Sequence, residues 1–73
     1  MIEYVLKRPY TCEFGTLHEG ASMRVMTFNG TPVVFYEGGM VEGGYASILL
    51  KLITDKKLHD EYLYDREVIK DKV

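Results

Sequence analysis

The stretch Ser22–Glu37, SMRVMTFNGTPVVFYE, decides how the rest of the chain can fold. At its centre Asn29-Gly30 supplies two residues that tolerate positive φ, as a two-residue type I′ hairpin turn requires. With those two at the tip, Phe28 faces Thr31, Thr27 faces Pro32, Met26 faces Val33 and Val25 faces Val34. Side chains alternate across a strand, so one face of the ribbon carries Met23, Val25, Val34 and Tyr36. The other carries Met26, Phe28, Val33 and Phe35, interrupted by Arg24. A sheet with one wet side alternates apolar with polar, and this ribbon is apolar on both sides. The pattern therefore predicts cover on both, from barrel curvature, a helix or a second subunit. Pro32 falls in a non-hydrogen-bonded pair in this register. Its missing N–H then points away from the partner strand, which predicts a sheet edge at that point.

Upstream, Pro9, Gly15 and Gly20 cut the chain into pieces of strand length. IEYVLK (2–7) and YTCEF (10–14) read as short strands, and GTLHEG (15–20) as a turn or short strand. Downstream, from Tyr45, Ile48, Leu49, Leu52 and Ile53 fall at the spacing of a buried helical stripe. Ala46 and Leu50 widen the apolar arc to roughly 200° at about 100° per residue, leaving Ser47, Lys51 and Thr54 on the wet side. The helical phase breaks at Thr54-Asp55, where either residue can cap a second short helix, KKLHDEYL (56–63), presenting Leu58 and Tyr62. The tail REVIKDK (66–72) reads as a final strand, charged as edge strands are. These pieces predict an α+β fold: a small antiparallel sheet or partly open barrel of four to five strands, one main helix and a short second helix. Residues 1–73 form a single small globular domain on this reading.

Composition narrows the functional classes. A chain of 73 residues buries only about 60% of its unfolded surface. Folds of this size lean on disulfides, metals, self-association or an efficient core. Cys12 is the only cysteine, which excludes an internal disulfide and fits a reducing, cytoplasmic setting. Nine basic residues against eleven acidic give a net charge of −2, without the basic excess that sequence-independent nucleic-acid binding uses. The adjacent pairs Lys7-Arg8 and Lys56-Lys57 read as solvated surface. At the N-terminus, MIEYVLKRPY places its basic residues after the apolar piece, the reverse of a signal peptide. The longest apolar window, YASILLKLI (45–53), falls far short of the ~20 residues that cross a bilayer, so no membrane partner is expected.

Two Glu-Gly-Gly triplets, Glu37-Gly38-Gly39 and Glu42-Gly43-Gly44, feed into the helix and invite comparison with a phosphate loop. A P-loop needs G-x-x-x-x-G-K-[ST]. Gly38 and Gly43 have that separation, but Gly44 and Tyr45 stand where the lysine and hydroxyl belong. Glu37 and Glu42 would also set negative charge against the anion. The segment reads instead as a strand-to-helix turn in which glycine lets the chain reverse, with partner contact as a further use of such a loop. Cys12 and His18 could pair as nucleophile and base. No third residue orients them, and a lone strand cysteine reads as a small hydrophobe. Metal binding would need Cys12, His18, His59 and Asp55 or Asp60 to converge without any metal-ligand spacing. His59, in a run of charges, reads as solvated, and Asp60-Glu61 and Asp65-Glu67 as solvated ion pairs. Six tyrosines stand out, with Tyr4, Tyr10, Tyr62 and Tyr64 in terminal segments expected to pair. Tyrosine suits interface positions because it couples an apolar body to a polar tip.

The reading that follows is a non-enzymatic interaction module without a cofactor, working through protein–protein contact, with self-association as one form of it. Its contact residues would be Phe28, Phe35, Tyr36, Gly38, Gly39, Met40, Gly43, Gly44 and Tyr45. The alternatives are a nucleic-acid-binding barrel using Lys7, Arg8 and Tyr10, and a small-ligand binder at the Gly38–Tyr45 loop.

Overall fold

The computed structural model describes residues 2–68. Seven strands and two helices follow in the order β1 (Ile2–Leu6), β2 (Tyr10–Cys12), β3 (Gly15–Leu17), β4 (Ser22–Phe28), β5 (Thr31–Tyr36), β6 (Gly39–Val41), α1 (Gly43–Thr54), α2 (Lys56–Tyr62) and β7 (Leu63–Glu67). Five strands form one antiparallel sheet in the order β6-β5-β4-β1-β7, and β2 and β3 form a separate hairpin. The main sheet is open, with edges at β6 and β7, so the fold is the sheet form of the expected α+β architecture rather than a barrel.

The β4–β5 register matches the four pairs predicted from Asn-Gly, Phe28↔Thr31 to Val25↔Val34, and continues to Met23↔Tyr36. Asn29 and Gly30 have φ of 51° and 80°, as a type I′ turn requires. The second turn was not foreseen. Glu37 and Gly38 repeat that backbone with φ of 52° and 86°. They send Gly39–Val41 back along β5 with Val34↔Val41, Phe35↔Met40 and Tyr36↔Gly39 paired. The segment expected to turn directly from strand to helix thus contains a third strand of a meander. The two Glu-Gly-Gly triplets do different work, the first closing a hairpin and the second opening α1. Because β6 is short, it pairs only with Val34, Phe35 and Tyr36. Pro32 lies beyond its reach, at an open edge as its chemistry demands.

Helix α1 starts two residues before Tyr45 and covers one face of the sheet. Leu6, Met23, Val34 and Leu63 meet Leu49, Leu52 and Ile53 of α1 in the core, closed by Leu17 and Ala21. At Asp55 the backbone turns extended, with φ −78° and ψ 115°, and its carboxylate accepts the Leu58 N–H at 3.1 Å. That is the cap expected at the phase break. Strand β7 pairs along all of β1, from Ile2↔Glu67 to Leu6↔Leu63, and so begins three residues before the expected final strand. The remainder of that expected strand, 69–72, lies outside the described residues.

Candidate functional site

Alternation assigns every side chain of the sheet to a face. The face against α1 holds Tyr4, Leu6, Met23, Val25, Val34, Tyr36 and Val41. The opposite face holds Glu3, Val5, Tyr64 and Arg66 on β1 and β7, and Arg24, Met26, Phe28, Val33, Phe35 and Met40 on β4–β6. No helix of the described residues covers this second face. Met26 and Phe28 of β4 and Met40 of β6 are 37%, 51% and 57% exposed, while Met23 of β4 and Val34 of β5 are 1% and 2% exposed. A helix therefore covers one side only, although on the other side Val5 is buried and Val33 and Phe35 are half-buried. The sheet stays open because its short edge strand β6 and its charged edge strand β7 do not meet.

This helix-free face has two halves, and it is bare over β4–β6 rather than at β1, where Val5 is 2% exposed. Across β1 and β7, Arg66 donates through Nε and Nη2 to one Glu3 oxygen at 3.0 and 2.7 Å. This guanidinium holds the Glu3 carboxyl below its ordinary range. Across β4–β6 the face is apolar apart from Arg24, which lies opposite Phe35, with Phe35 and Val33 half-buried between Met26, Phe28 and Met40. Large apolar side chains gathered on one face of a small domain mark interaction surfaces more often than scattered ones do.

The residues expected to form one contact surface separate into two groups. Phe28, Phe35 and Met40 belong to the bare face. Tyr36 and Tyr45 lie on the helix side, 6.0 Å apart between ring centroids. Burial pushes both hydroxyls above their ordinary pKa. Phe14, from the β2–β3 turn, packs on Tyr45 at 5.5 Å and lies over Gly44, where an added Cβ would stand 3.3 Å from the Phe14 Cζ. Gly38 and Gly39 sit at the β5–β6 turn and Gly43 and Gly44 at the start of α1. Met26 and Val33 were absent from the expected contact set, although the hairpin register already placed them beside Phe28 and Phe35. Phe14 carried no such signal, because only the fold brings its turn to α1.

An open cleft of about 340 Å³ lies where β5 and β6 meet the first turns of α1, lined by Val33, Val34, Met40, Val41, Glu42 and Ala46 among others. It shares Met40, Val41, Glu42 and Gly43 with the Gly38–Tyr45 loop and takes the rest of its lining from β5 and Ala46, with a volume near the low end of the usual range of roughly 300–1,000 Å³.

Other candidates have local partners. Arg8 pairs with Glu61 at 3.1 Å and lies over the Tyr62 ring at 5.4 Å. Tyr10 meets that same ring edge-on at 4.9 Å. Arg8 and Tyr10 of the Lys7-Arg8-Tyr10 patch are thus engaged with α2. Cys12 stands at the end of β2 opposite Gly15, and His18 donates from Nδ1 to the Glu19 carbonyl at 2.9 Å. No group of three or more His, Cys, Asp or Glu side chains among the described residues is arranged to hold a metal ion. Lys56 pairs with Asp60 at 3.0 Å, in keeping with solvated ion pairing. His59 departs from its expected solvated place: it is half-buried, and both ring nitrogens are engaged. Among the described residues no helix is long and apolar enough to cross a membrane.

Compared with known protein families, curated proteins and solved structures, the chain matches none.

Proposed function

We propose that the protein is a non-enzymatic interaction module that binds a protein partner, including a second copy of itself, through the bare face of β4–β6. The carrying observation is the contrast between the two faces of β4–β6: Met23 and Val34 are buried under α1, while Met26, Phe28 and Met40 lie open on the other side. Exposed aromatic and methionine side chains in one patch are the composition of interface cores. The Glu3–Arg66 pair supplies a polar margin on the same face.

The direct test is affinity capture from the native host with tagged protein, run beside Phe28→Ser and Met40→Ser variants of equal thermal stability. Retained proteins that both variants lose support the reading. Identical capture by all three removes this face from it. Light scattering on a size-exclusion column addresses the self-association arm, and a strict monomer at high micromolar concentration eliminates it.

One observation favours a second reading, a small apolar ligand at the β5–β6–α1 cleft. Titration with a fragment library, followed by amide shifts at Val41, Gly43 and Ala46, distinguishes the two. Shifts confined to those residues support the ligand, and shifts at Met26 and Phe28 support the face. For the Lys7-Arg8-Tyr10 alternative, no retention of DNA or RNA at about 50 mM salt would end it.

A further inference from the structure

The corner where α1 ends, α2 passes and β7 begins is closed by one imidazole. His59 Nδ1 lies 2.6 Å from the Ile53 carbonyl oxygen, and Nε2 lies 2.7 Å from Asp65 Oδ1. A neutral imidazole has one N–H and one lone pair, whereas the imidazolium has two donors. A carbonyl and an ionised carboxylate can only accept. A neutral ring donating to Ile53 would aim its Nε2 lone pair at a carboxylate oxygen, and the alternative tautomer would set a lone pair against the carbonyl. Only the doubly protonated ring satisfies both contacts.

We propose that His59 is a proton-operated latch: when charged it ties α1 to β7 through α2, and on losing a proton it lets go of Asp65. Asp65 is the end that releases because its side chain is 57% exposed and can turn to water, whereas the Ile53 carbonyl lies at the half-buried end of the ring. The groups facing the ring come from four elements. β7 supplies Asp65, with Glu67 two residues along the same face. α2 supplies Asp60, which pairs with Lys56 and also feels Lys7. β1 supplies the Tyr4 ring, edge-on at 5.3 Å and 87°. α1 supplies the Ile53 carbonyl, and the basic residue of its last turn is Lys51. The nearby acids favour the charged ring, and the Ile53 carbonyl favours it most. Together they outweigh desolvation, so the pKa of His59 stands above its ordinary 6.5.

Proton release therefore falls above pH 6.5. With the Asp65 contact gone, β7 keeps its ladder to β1 and the Leu63 N–H bond to the His59 carbonyl but loses its side-chain tie to α2, and local opening of the α2–β7 corner becomes cheaper. The test is a nitrogen-15 NMR titration of the His59 ring from about pH 5 to about pH 9. Amide hydrogen exchange at residues 58–66 is read over the same range and corrected for the intrinsic base-catalysed rate. The expected result is a His59 midpoint above 6.5, with protection at Tyr62–Asp65 falling several-fold as pH crosses it. Asp65→Asn should lower the midpoint and flatten the protection profile, and His59→Gln should abolish the profile. Asp65→Asn keeps the histidine and its Ile53 bond, so the question stays answerable if His59→Gln does not fold. A midpoint at or below 6.5, an unchanged midpoint in Asp65→Asn, or protection that ignores the titration would each overturn the latch.

Discussion

Glu37 does two things at once. Its backbone takes the left-handed conformation at φ 52°. Its carboxylate accepts the Ser22 N–H at 2.8 Å, while its own N–H donates to the Ser22 carbonyl at 2.8 Å. One residue thus turns the β5–β6 hairpin and extends the β4–β5 ladder by a step. Glu37→Ala loses the carboxylate and keeps the awkward φ, so it should cost about 1 kcal/mol. Glu37→Gly loses the same bond but relieves the backbone, and should be the more stable of the two by about 1 kcal/mol. Urea midpoints rank them, and an alanine variant at least as stable as the glycine variant contradicts the backbone account. Two other residues set the response to pH. The Glu3 pKa is depressed by Arg66, so its contribution is present above about 4.5 and lost as pH falls through the folded value. The His59 pKa is raised, so its contribution is complete below 6.5 and lost as pH rises through the folded value. Stability should be greatest between these limits and fall on both sides, which urea melts at about pH 3, 5.5 and 8 will show. A melt at the highest pH equal to that in the middle removes the basic arm.

At the scale of elements, the β4–β5 ribbon can be tested on its two faces. Met23→Lys puts a charge into the core beneath α1 and should leave the domain largely unfolded by circular dichroism. Met26→Lys, three residues on and facing away, should change stability by less than about 1 kcal/mol. Equal damage from both would mean that the second face is covered after all. The short helix α2 has its own handle, because Asp55 caps it, and Asp55→Ala should cost about 1 kcal/mol. What was legible beforehand follows from how far each signal reaches. Asn29-Gly30 and period-two alternation are local, and they fixed the longest hairpin to the residue. The apolar spacing from Tyr45 and the phase break at Asp55 are local as well, and both helices stand where they place them. Strand β6 was missed because three residues are too few for periodicity to register. Its turn, moreover, uses Glu-Gly, in which glutamate carries the positive φ that asparagine carries in Asn-Gly. The latch at His59 was missed for the opposite reason. One of its acceptors is a backbone carbonyl and the other lies on a strand, and only the folded corner brings them to one ring.

For the whole molecule, the constraint is size. At about 0.05–0.15 kcal/mol per residue, a chain this long holds about 4–11 kcal/mol of stability, so a core truncation such as Leu49→Ala, costing about 2–5 kcal/mol, consumes a large share of it. The same shortage of interior leaves the ribbon's second face without cover. Taking about 200 Å² for a large side chain, within the range for aromatics, the exposed fractions of Met26, Phe28 and Met40 amount to about 300 Å². A specific complex buries about 800 Å² on each partner. The apolar half alone therefore supports only weak self-association, and a tight complex must also use the half of the face that carries Glu3, Arg66 and Tyr64. Salt separates the two contributions. Apolar contact persists or strengthens as ionic strength rises, while contact between exposed charges is screened within about 10 Å at 0.1 M salt. Sedimentation equilibrium at low and high salt should show association that appears only at high micromolar concentration, survives the salt and disappears in Phe28→Lys. Association that salt abolishes, or that Phe28→Lys leaves intact, would move the contact off the β4–β6 face and onto the charged strands at the other edge.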